Sequence, residues 1–193
     1  MKFYISGRNG FLAHKLMQSN RYEWSEVTGS SDALFLLGSP TCAYGTLPSE
    51  FGTKMHSYVE QTIDTINNNR KPVVFASTTG VNDISLDHSG HTTYNLAKLY
   101  LENYIIHNVE QYLILRIGTI ISRSCTDVDM MKPDRIQQRI RNREYTAIEQ
   151  KDSYLDVNTF VSQTLDTIST IDNQIIEYPH VTLSLFDLLR YER

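Results

Sequence analysis

The sequence of 193 residues is poor in cysteine and has no long apolar run. Its two cysteines, Cys42 and Cys125, form neither a C-x-x-C pair nor a Cys/His array, so we predict reduced thiols rather than a disulfide. No apolar run approaches the roughly 18–20 residues of a membrane span, so no membrane partner is expected. The stretch before Gly7 is too short and too weakly apolar for a secretory signal. These absences predict a cytoplasmic protein.

An excess of positive charge is also absent. Lys and Arg number 18 against 22 Asp and Glu, which leaves a formal net charge of −4. Nucleic acid is bound by dense cationic faces, so no nucleic-acid partner is predicted. One basic cluster stands out, formed by Arg135, Arg139, Arg141 and Arg143. It is either a solvated helix face or a clamp for a substrate diphosphate, because guanidinium binds phosphate through a bidentate fork.

Short β-branched and aromatic runs alternate with helical patterns along most of the chain. Strands are predicted at KFYIS, ALFLLGSP, PVVFAST and YLILRIG, and more weakly at SEVTG. Helices are predicted at GFLAHKLMQSN, over residues 53–68, and from Thr92 and Thr93 onward. This alternation predicts an α/β fold with βαβ units and a parallel sheet covered on both faces.

The character of the sequence changes after residue 122. The segment 131–154 is charged and irregular, with a short helix predicted through Ile136 and Ile140. Amphipathic helices are predicted at VNTFVSQTLDTIST and at SLFDLLRYE. We therefore predict a core over residues 1–122 and a small C-terminal lobe over residues 123–193, packed on the core in one domain.

Two glycines separate the first predicted strand from the first predicted helix. A tight strand-to-helix turn needs a residue without Cβ, and a helix start offers unpaired N–H groups to an anion. The spacing G-x-x-G-x-x-A departs from the G-x-G-x-x-G dinucleotide fingerprint. A plain strand-to-helix turn is one explanation of this glycine spacing. The position of the spacing at the start of an α/β pattern favours the other, a phosphate site. That site would comprise Gly7, Arg8, Asn9, Gly10, Phe11 and Leu12.

In a dinucleotide-binding fold, a carboxylate at the end of the second strand binds the ribose hydroxyls of NAD. With that strand at SEVTG, the residues that follow contain no acid before Asp32. Arg8 lies in the glycine turn, although an arginine in a surface turn can be merely solvated. Because this region lacks a carboxylate and has a guanidinium nearby, it favours the 2′-phosphate of the cofactor. NADP is therefore predicted over NAD.

Hydroxyl side chains follow the predicted strand PVVFA, at Ser77 and Thr78. The carboxyl edge of a parallel sheet is where ligands bind, and the helix begun in HTTYNLAK starts at that same edge. This helix carries Tyr94 and Lys98 at i and i+4, on one face.

A phenol ionises near pH ~10, and a fixed ammonium nearby favours its phenolate form. Thr78 could then hold the substrate oxygen whose proton moves. In the alternative interpretation Tyr94 packs, Lys98 extends to solvent and Thr92 caps the helix. The order of the glycine turn, the strand-end hydroxyls and the Tyr/Lys pair favours catalysis.

Four segments, FYISGRNGFLAHKL, VVFASTTGV, YNLAK and LILRIGTIIS, resemble successive signatures of the extended short-chain dehydrogenase/reductases, the NAD-dependent epimerase/dehydratase group. GRNGFLA is also similar to the opening of the dTDP-4-dehydrorhamnose reductase branch. The resemblance implies a Rossmann-type doubly wound parallel sheet, bound NAD or NADP, and hydride transfer on a nucleotide-linked sugar by an epimerase or reductase. The alternative is a non-catalytic dinucleotide-binding protein that acts as a sensor or interaction module.

The resemblance also implies individual roles. Tyr94 would move the proton, Lys98 would hold the nicotinamide ribose and lower the pKa of the tyrosine, and Thr78 would be the active-site hydroxyl with Ser77 beside it. Further cofactor contacts are implied at Gly38, Ser39, Ile117 and Gly118. Family members often dimerise through the helix that here carries Tyr94, so a homodimer is a further expectation.

The chain departs from the family in several places. It is short, and little separates the second strand from ALFLLGSP, so a helix and a strand of the adenosine half are missing. Tyr58 stands where the family often has asparagine, and Asn158 where it has aspartate. Asp83, Asp87 and His91 could line the substrate entrance. The pair His88 and His91 fits no zinc pattern, so no metal site is predicted.

Overall fold

The computed structural model of the chain describes residues 1–40, 48–82, 84, 90–121 and 151–184. Several predicted features therefore lie outside the described residues: both cysteines, the four-arginine cluster, the helix through Ile136 and Ile140, and all but the first residue of SLFDLLRYE.

Up to residue 117 the described elements come in the order that the sequence predicts, whereas the strands after that residue were not predicted. The strands are β1 Lys2–Ile5, β2 Glu23–Ser25, β3 Ala33–Leu36, β4 Val73–Thr78, β5 Tyr112–Ile117, β6 Thr119–Ile121, β7 Lys151–Asp156, β8 Gln174–Glu177 and β9 Val181–Ser184. The helices are α1 Phe11–Met17, α2 Pro48–Asn69, α3 Gly90–Asn108 and α4 Val157–Thr167. Short 3-10 turns occupy Thr28–Ser30 and Thr79–Asn82. Helix α3 begins at Gly90, so Thr92 lies within its first turn and not at its cap.

The main sheet has the strand order β2-β1-β3-β4-β5-β8, and every neighbouring pair is parallel. A second sheet, β6-β7-β9, pairs β6 with β7 in parallel and β7 with β9 antiparallel. Apolar clusters cover both faces of the main sheet. This arrangement confirms the prediction of an α/β, Rossmann-type sheet.

Successive residues of each central strand point to opposite faces of the main sheet. Phe35 packs on the α1 and α4 side, whereas its neighbour Leu34 packs on the α2 and α3 side with Leu101 and Ile105. All four residues of β3 are buried. A strand covered on both faces needs apolar side chains at every position, which explains the continuous run in ALFLLG.

The core of the main sheet extends beyond residue 122, the boundary that the sequence predicts. β8 pairs with β5 at the edge of this sheet, from Leu113↔Gln174 to Arg116↔Glu177. Helix α4 packs against α1 and contributes Phe160 to the same core. The strand QIIE is short and mostly exposed, so its side chains carry little of the apolar pattern of a strand.

The second strand forms earlier than SEVTG. β2 covers Glu23–Ser25, and its Trp24 packs beside Phe3 of β1 with ring centroids 5.8 Å apart. Ser25 Oγ then accepts a hydrogen bond from Val27 N at 3.1 Å and begins a turn. The prediction at this segment was therefore wrong by two residues at its start.

Residues 26–32 alone connect β2 and β3, which lie on opposite sides of β1. Parallel strands are usually joined by a crossover of roughly a dozen residues or more. Here the link contains only the 3-10 turn, and Lys71 Nζ donates hydrogen bonds to the carbonyl oxygens of Thr28 and Ser31. The lysine thus holds the short link where longer connections use a packed helix.

Candidate active site

Gly7 and Gly38 bring the ends of β1 and β3 into backbone contact. Gly7 has φ +67°, in the left-handed region that favours glycine. A Cβ at Gly7 would lie 2.5 Å from Gly38 Cα, and one at Gly38 would lie 2.8 Å from Gly7 Cα. Gly38 N also donates a hydrogen bond to Ser6 Oγ at 3.1 Å. Both positions therefore require glycine for this contact.

A cavity of ≈ 800 Å³ opens beside this contact, between the carboxyl ends of β1 and β3 and one side of α2. Because β2 and β3 flank β1 on opposite sides, the strand order reverses here, which is where open α/β sheets bind ligands. The cavity volume falls within the range of about 300–1,000 Å³ typical of small-molecule sites. Six residues predicted to contact a cofactor line it: Gly7, Arg8, Asn9, Gly10, Gly38 and Ser39.

Lys98 is buried next to this cavity, with only 1% of its side chain exposed. Its Nζ donates hydrogen bonds to the carbonyl oxygen of Ala76 at 2.7 Å and to the hydroxyl of Tyr58 at 3.0 Å. The same atom lies 4.7 Å from the ring centroid of Phe75, 5.1 Å from that of Tyr58 and 5.6 Å from that of Tyr94. The ammonium is thus held among aromatic faces, which attract cations.

Burial lowers the pKa of Lys98 to about 7, since desolvation disfavours the charged form, and the Glu102 carboxylate opposes this shift. Glu102 lies one turn further along α3, is also 1% exposed, and pairs with Arg116 at 2.7 Å between Oε2 and Nη2. Arg116 Nη1 donates to Asn82 Oδ1, and Asn82 Nδ2 donates to Glu177 Oε2, each at 2.7 Å. These polar contacts lie behind the lysine. They join four elements: α3, β5, β8 and the turn that follows β4.

The Tyr94 side chain meets the end of β3. Its hydroxyl shares a hydrogen bond with the Ser39 side chain, which lines the cavity. Burial nevertheless raises the pKa of Tyr94, and the hydrogen bond only partly offsets that rise. In this arrangement the pKa of Tyr94 is raised and not lowered as the resemblance implies, because burial disfavours the phenolate more than the Ser39 hydrogen bond favours it.

Of the two strand-end hydroxyls, Ser77 shares a strand face with Phe75, and that face packs against α3. Ser77 Oγ is buried and has no hydrogen-bond partner among the residues that the structure describes. Thr78 Oγ1 accepts a hydrogen bond from Gly80 N at 3.2 Å. The catalytic role of Thr78 stays a prediction, and Ser77 is a second hydroxyl near the carboxyl end of the same strand.

The remaining predicted cofactor residues are not part of the cavity wall. Phe11 and Leu12 on α1 pack against the apolar core on the α1 and α4 side, and Ile117 belongs to that core. Gly118 lies between β5 and β6. Cofactor contacts at these positions stay predictions.

A carboxylate that was not predicted from the sequence lies at the end of the second strand. Because β2 ends at Ser25, Glu26 is the first residue after it, and its carboxylate forms an ion pair with the guanidinium of Arg8. Both side chains are exposed. The prediction of NADP assumed that this position has no acid, and that premise was wrong. The aromatic pair Tyr22 and Trp24, which packs on β1, was the signal that could have placed the strand correctly.

The described residues contain neither a candidate metal-binding cluster nor a membrane-spanning helix. Within 1–40, 48–82, 84, 90–121 and 151–184, no group of three or more His, Cys, Asp or Glu side chains could hold a metal ion. In the same part of the chain, no helix has the length and apolar character needed to cross a bilayer. Asp83, Asp87, His88 and the side chain of His91 lie outside the described residues.

No protein-family model matches the sequence, and no curated protein matches it either. Its fold, however, matches solved structures of NAD(P)-dependent epimerases and reductases. A short-chain dehydrogenase/reductase superfamily protein from Agrobacterium tumefaciens with bound NAD matches with a TM-score of 0.70 at 13% identity, over 99% of this chain and 81% of that one.

Two further matches have assigned activities. The UDP-glucuronic acid 4-epimerase of Bacillus cereus, in complex with NAD, has a TM-score of 0.66 at 14% identity, over 98% of this chain and 81% of that one. The GDP-mannoheptose C4 reductase of Campylobacter jejuni, with NADP bound, has a TM-score of 0.69 at 11% identity, over 99% and 82%. The fold that the sequence motifs imply is therefore confirmed.

Proposed function

We propose that this protein is an NAD(P)-dependent oxidoreductase or isomerase of the extended short-chain type, an epimerase or reductase that acts on a nucleotide-linked sugar. The observation that carries the proposal is the buried Lys98 beneath Tyr94, whose hydroxyl meets Ser39 at the wall of the cavity. A fully buried amine is costly to maintain, and such groups concentrate at functional sites.

The residues around the cavity fit a dinucleotide. The contact between Gly7 and Gly38 leaves backbone without side chains at the point where the strand order reverses, so a pyrophosphate could approach closely. Arg8 and Asn9 would lie beside it. Bound NAD or NADP would supply the hydride acceptor or donor for the sugar carbon.

Tyr94 would move the proton at its hydroxyl oxygen. Its raised pKa keeps the phenol protonated at neutral pH, so it can donate a proton to a sugar carbonyl oxygen. Lys98 would stabilise the phenolate that this transfer leaves behind, because its ammonium lies over the same ring. Thr78 or Ser77 would orient the sugar oxygen.

NAD is the cofactor that the position of Glu26 favours. A carboxylate directly after β2 suits the ribose hydroxyls of NAD and repels the 2′-phosphate of NADP. We also propose a homodimer through α3, because Leu96 and Tyr100 lie one turn apart on this helix and are 47% and 56% exposed. The molar mass in solution tests this part of the proposal.

The activity is tested by titrating the protein with NADH and NADPH, followed by fluorescence, and by measuring turnover over a panel of nucleotide sugars. Tyr94→Phe should lower turnover by about 10²–10⁴-fold and leave cofactor affinity unchanged. Tyr104→Phe, which removes another hydroxyl from the same helix, is the matched control and should turn over normally.

A second candidate is a non-catalytic dinucleotide-binding protein that acts as a sensor. The short link over residues 26–32 favours it, because it shortens the half of the sheet that would hold the adenosine. Cofactor binding without turnover, unchanged by Tyr94→Phe, would support the sensor over the enzyme. Binding of neither dinucleotide would overturn both.

A further inference from the structure

Tyr58 lies on α2 between the buried amine of Lys98 and the cavity. Its hydroxyl accepts a hydrogen bond from Lys98 Nζ at 3.0 Å, and its ring centroid lies 5.1 Å from the same nitrogen. The same side chain lines the cavity. Tyr58 therefore touches the ammonium through both its hydroxyl and its ring.

The hydrogen-bond partners of Lys98 show how much depends on this contact. An ammonium group has three donors. Among the described residues two acceptors lie within reach, the carbonyl oxygen of Ala76 and the Tyr58 hydroxyl. A buried ammonium needs acceptors to keep its charge, and among the described residues the Tyr58 hydroxyl is the one side-chain group that accepts a hydrogen bond from the lysine.

The titratable groups around Lys98 come from three elements. Tyr58 faces it from α2, Tyr94 and Glu102 from α3, and Arg116 on β5 pairs with Glu102 behind it. Burial raises the pKa of Tyr58, and negative charge on Tyr94 raises it further. Tyr58 is thus a neutral phenol, and its hydroxyl oxygen can accept a hydrogen bond from the Lys98 ammonium.

We propose that Tyr58 is a positioning residue, whose hydroxyl holds the Lys98 ammonium beneath Tyr94 and sustains its charge. The position of Tyr58 is fixed by its helix, where Thr62 Oγ1 donates to the Tyr58 carbonyl oxygen at 2.7 Å. The contact with the amine is a property of the protein without ligand. Its consequence for turnover rests on the proposed function.

The test compares Tyr58→Phe with Tyr104→Phe. The first removes the hydroxyl and keeps the ring beside Lys98. The second removes a hydroxyl that donates to Asn67 Oδ1, elsewhere between α2 and α3. The protonation of Lys98 is followed in each protein by NMR of lysine labelled at its ε carbon, with Lys98→Met used to assign the signal.

We expect the midpoint of the Lys98 titration to fall by about one pH unit in Tyr58→Phe, because the ammonium loses an acceptor, and to stay in place in Tyr104→Phe. Tyr58→Met, which lacks both the hydroxyl and the ring, should show at least the same fall and guards against a folding defect specific to one variant. Where sugar turnover is found, Tyr58→Phe should lower kcat about tenfold, shift its pH dependence and leave KM unchanged.

An unchanged Lys98 midpoint in both Tyr58 variants would overturn this proposal, even if NADH or NADPH binds. A fall of equal size in Tyr104→Phe would overturn it as well, since the effect would then not depend on the contact. Failure of both dinucleotides to bind would refute the proposed function and leave the Lys98 measurement intact, so the two failures are distinguishable.

Discussion

Lys98 Nζ donates a hydrogen bond of 2.7 Å to the carbonyl oxygen of Ala76. This bond joins α3 to the buried strand β4 near its carboxyl end. This bond places Tyr94, one helical turn earlier, at the carboxyl edge of the sheet. It also requires an amine to be buried completely, at a cost in solvation that the surrounding rings and carbonyl only partly offset. The stability of the protein should therefore report on the charge of this lysine.

The first prediction concerns stability and pH. The pKa of Lys98 is lowered from 10.5 to about 7 in the folded chain, so between these values the unfolded chain binds a proton that the folded chain has lost. The free energy of unfolding should then rise with pH from 7 to 9, by up to roughly 1.4 kcal/mol per pH unit relative to Lys98→Met. The range from pH 7 to 9 ends below the pKa of about 10 of free tyrosines, so their ionisation does not contribute to the slope.

Urea unfolding of both proteins at pH 7, 8 and 9 measures this difference. Lys54→Met, at an exposed position on α2, is the control and should follow the wild-type slope. Equal slopes for the wild type and Lys98→Met would show that the amine is not desolvated in the folded protein.

The second prediction concerns the contact between β1 and β3. Gly7→Ala should destabilise the protein by about 1–3 kcal/mol from its left-handed backbone alone, and by more because the new Cβ meets Gly38 Cα. Gly29→Ala is the control, since a Cβ there meets nothing within 4 Å. Its effect should stay within about 0.5 kcal/mol. Denaturant unfolding gives both values, and equal losses would contradict the contact.

The third prediction concerns the choice of dinucleotide. Glu26→Gln removes the carboxylate that follows β2 and releases Arg8 from its ion pair. NADH affinity should fall by about tenfold, the value of one charged hydrogen bond, while NADPH affinity should hold or improve. Glu23→Gln, exposed on β2, is the matched control and should bind NADH as the wild type does. A loss shared equally by both dinucleotides would indicate that Glu26 does not discriminate between them.

The fourth prediction concerns the buried ion pair. Arg116→Met leaves the Glu102 carboxylate buried and unpaired, so stability should fall by about 3 kcal/mol. Replacing Glu102 by leucine in the same protein should recover much of this loss, because no unpaired carboxylate is then left buried. Arg21→Met breaks an ion pair with Asp166 whose members are both exposed, and should cost less than about 1 kcal/mol. Comparable losses from Arg116→Met and Arg21→Met would refute the difference in burial on which the prediction depends.

Much of the fold could be predicted from the sequence. The strands β3, β4 and β5 are covered on both faces, so most of their positions are apolar and the pattern was plain. β8 could not be found in this way, because three of its four residues are exposed at the edge of the sheet. β2 was misplaced because its extent depends on its pairing with β1, where Trp24 packs beside Phe3, and not on its local pattern alone.

The candidate site, too, could be predicted from the sequence only in part. The spacing of Tyr94 and Lys98 along one helix already predicted that they share a face, and the glycines already predicted a close approach of backbone. The partners of these residues come from remote segments: Ser39 for Tyr94, and Tyr58 for Lys98. No local pattern indicates which side chain will meet another across α2, α3 and the end of β3.

The sequence by itself determined the alternation of strands and helices, the sharp turn at Gly7 and the shared face of Tyr94 and Lys98, because each depends on residues close together along the chain. Only the tertiary structure decided that Lys98 is desolvated, that Tyr58 accepts its hydrogen bond and that Glu26 directly follows the second strand. These properties depend on which surfaces are removed from water when distant segments pack, and burial of that kind sets both the charge of an amine and the partners that it needs.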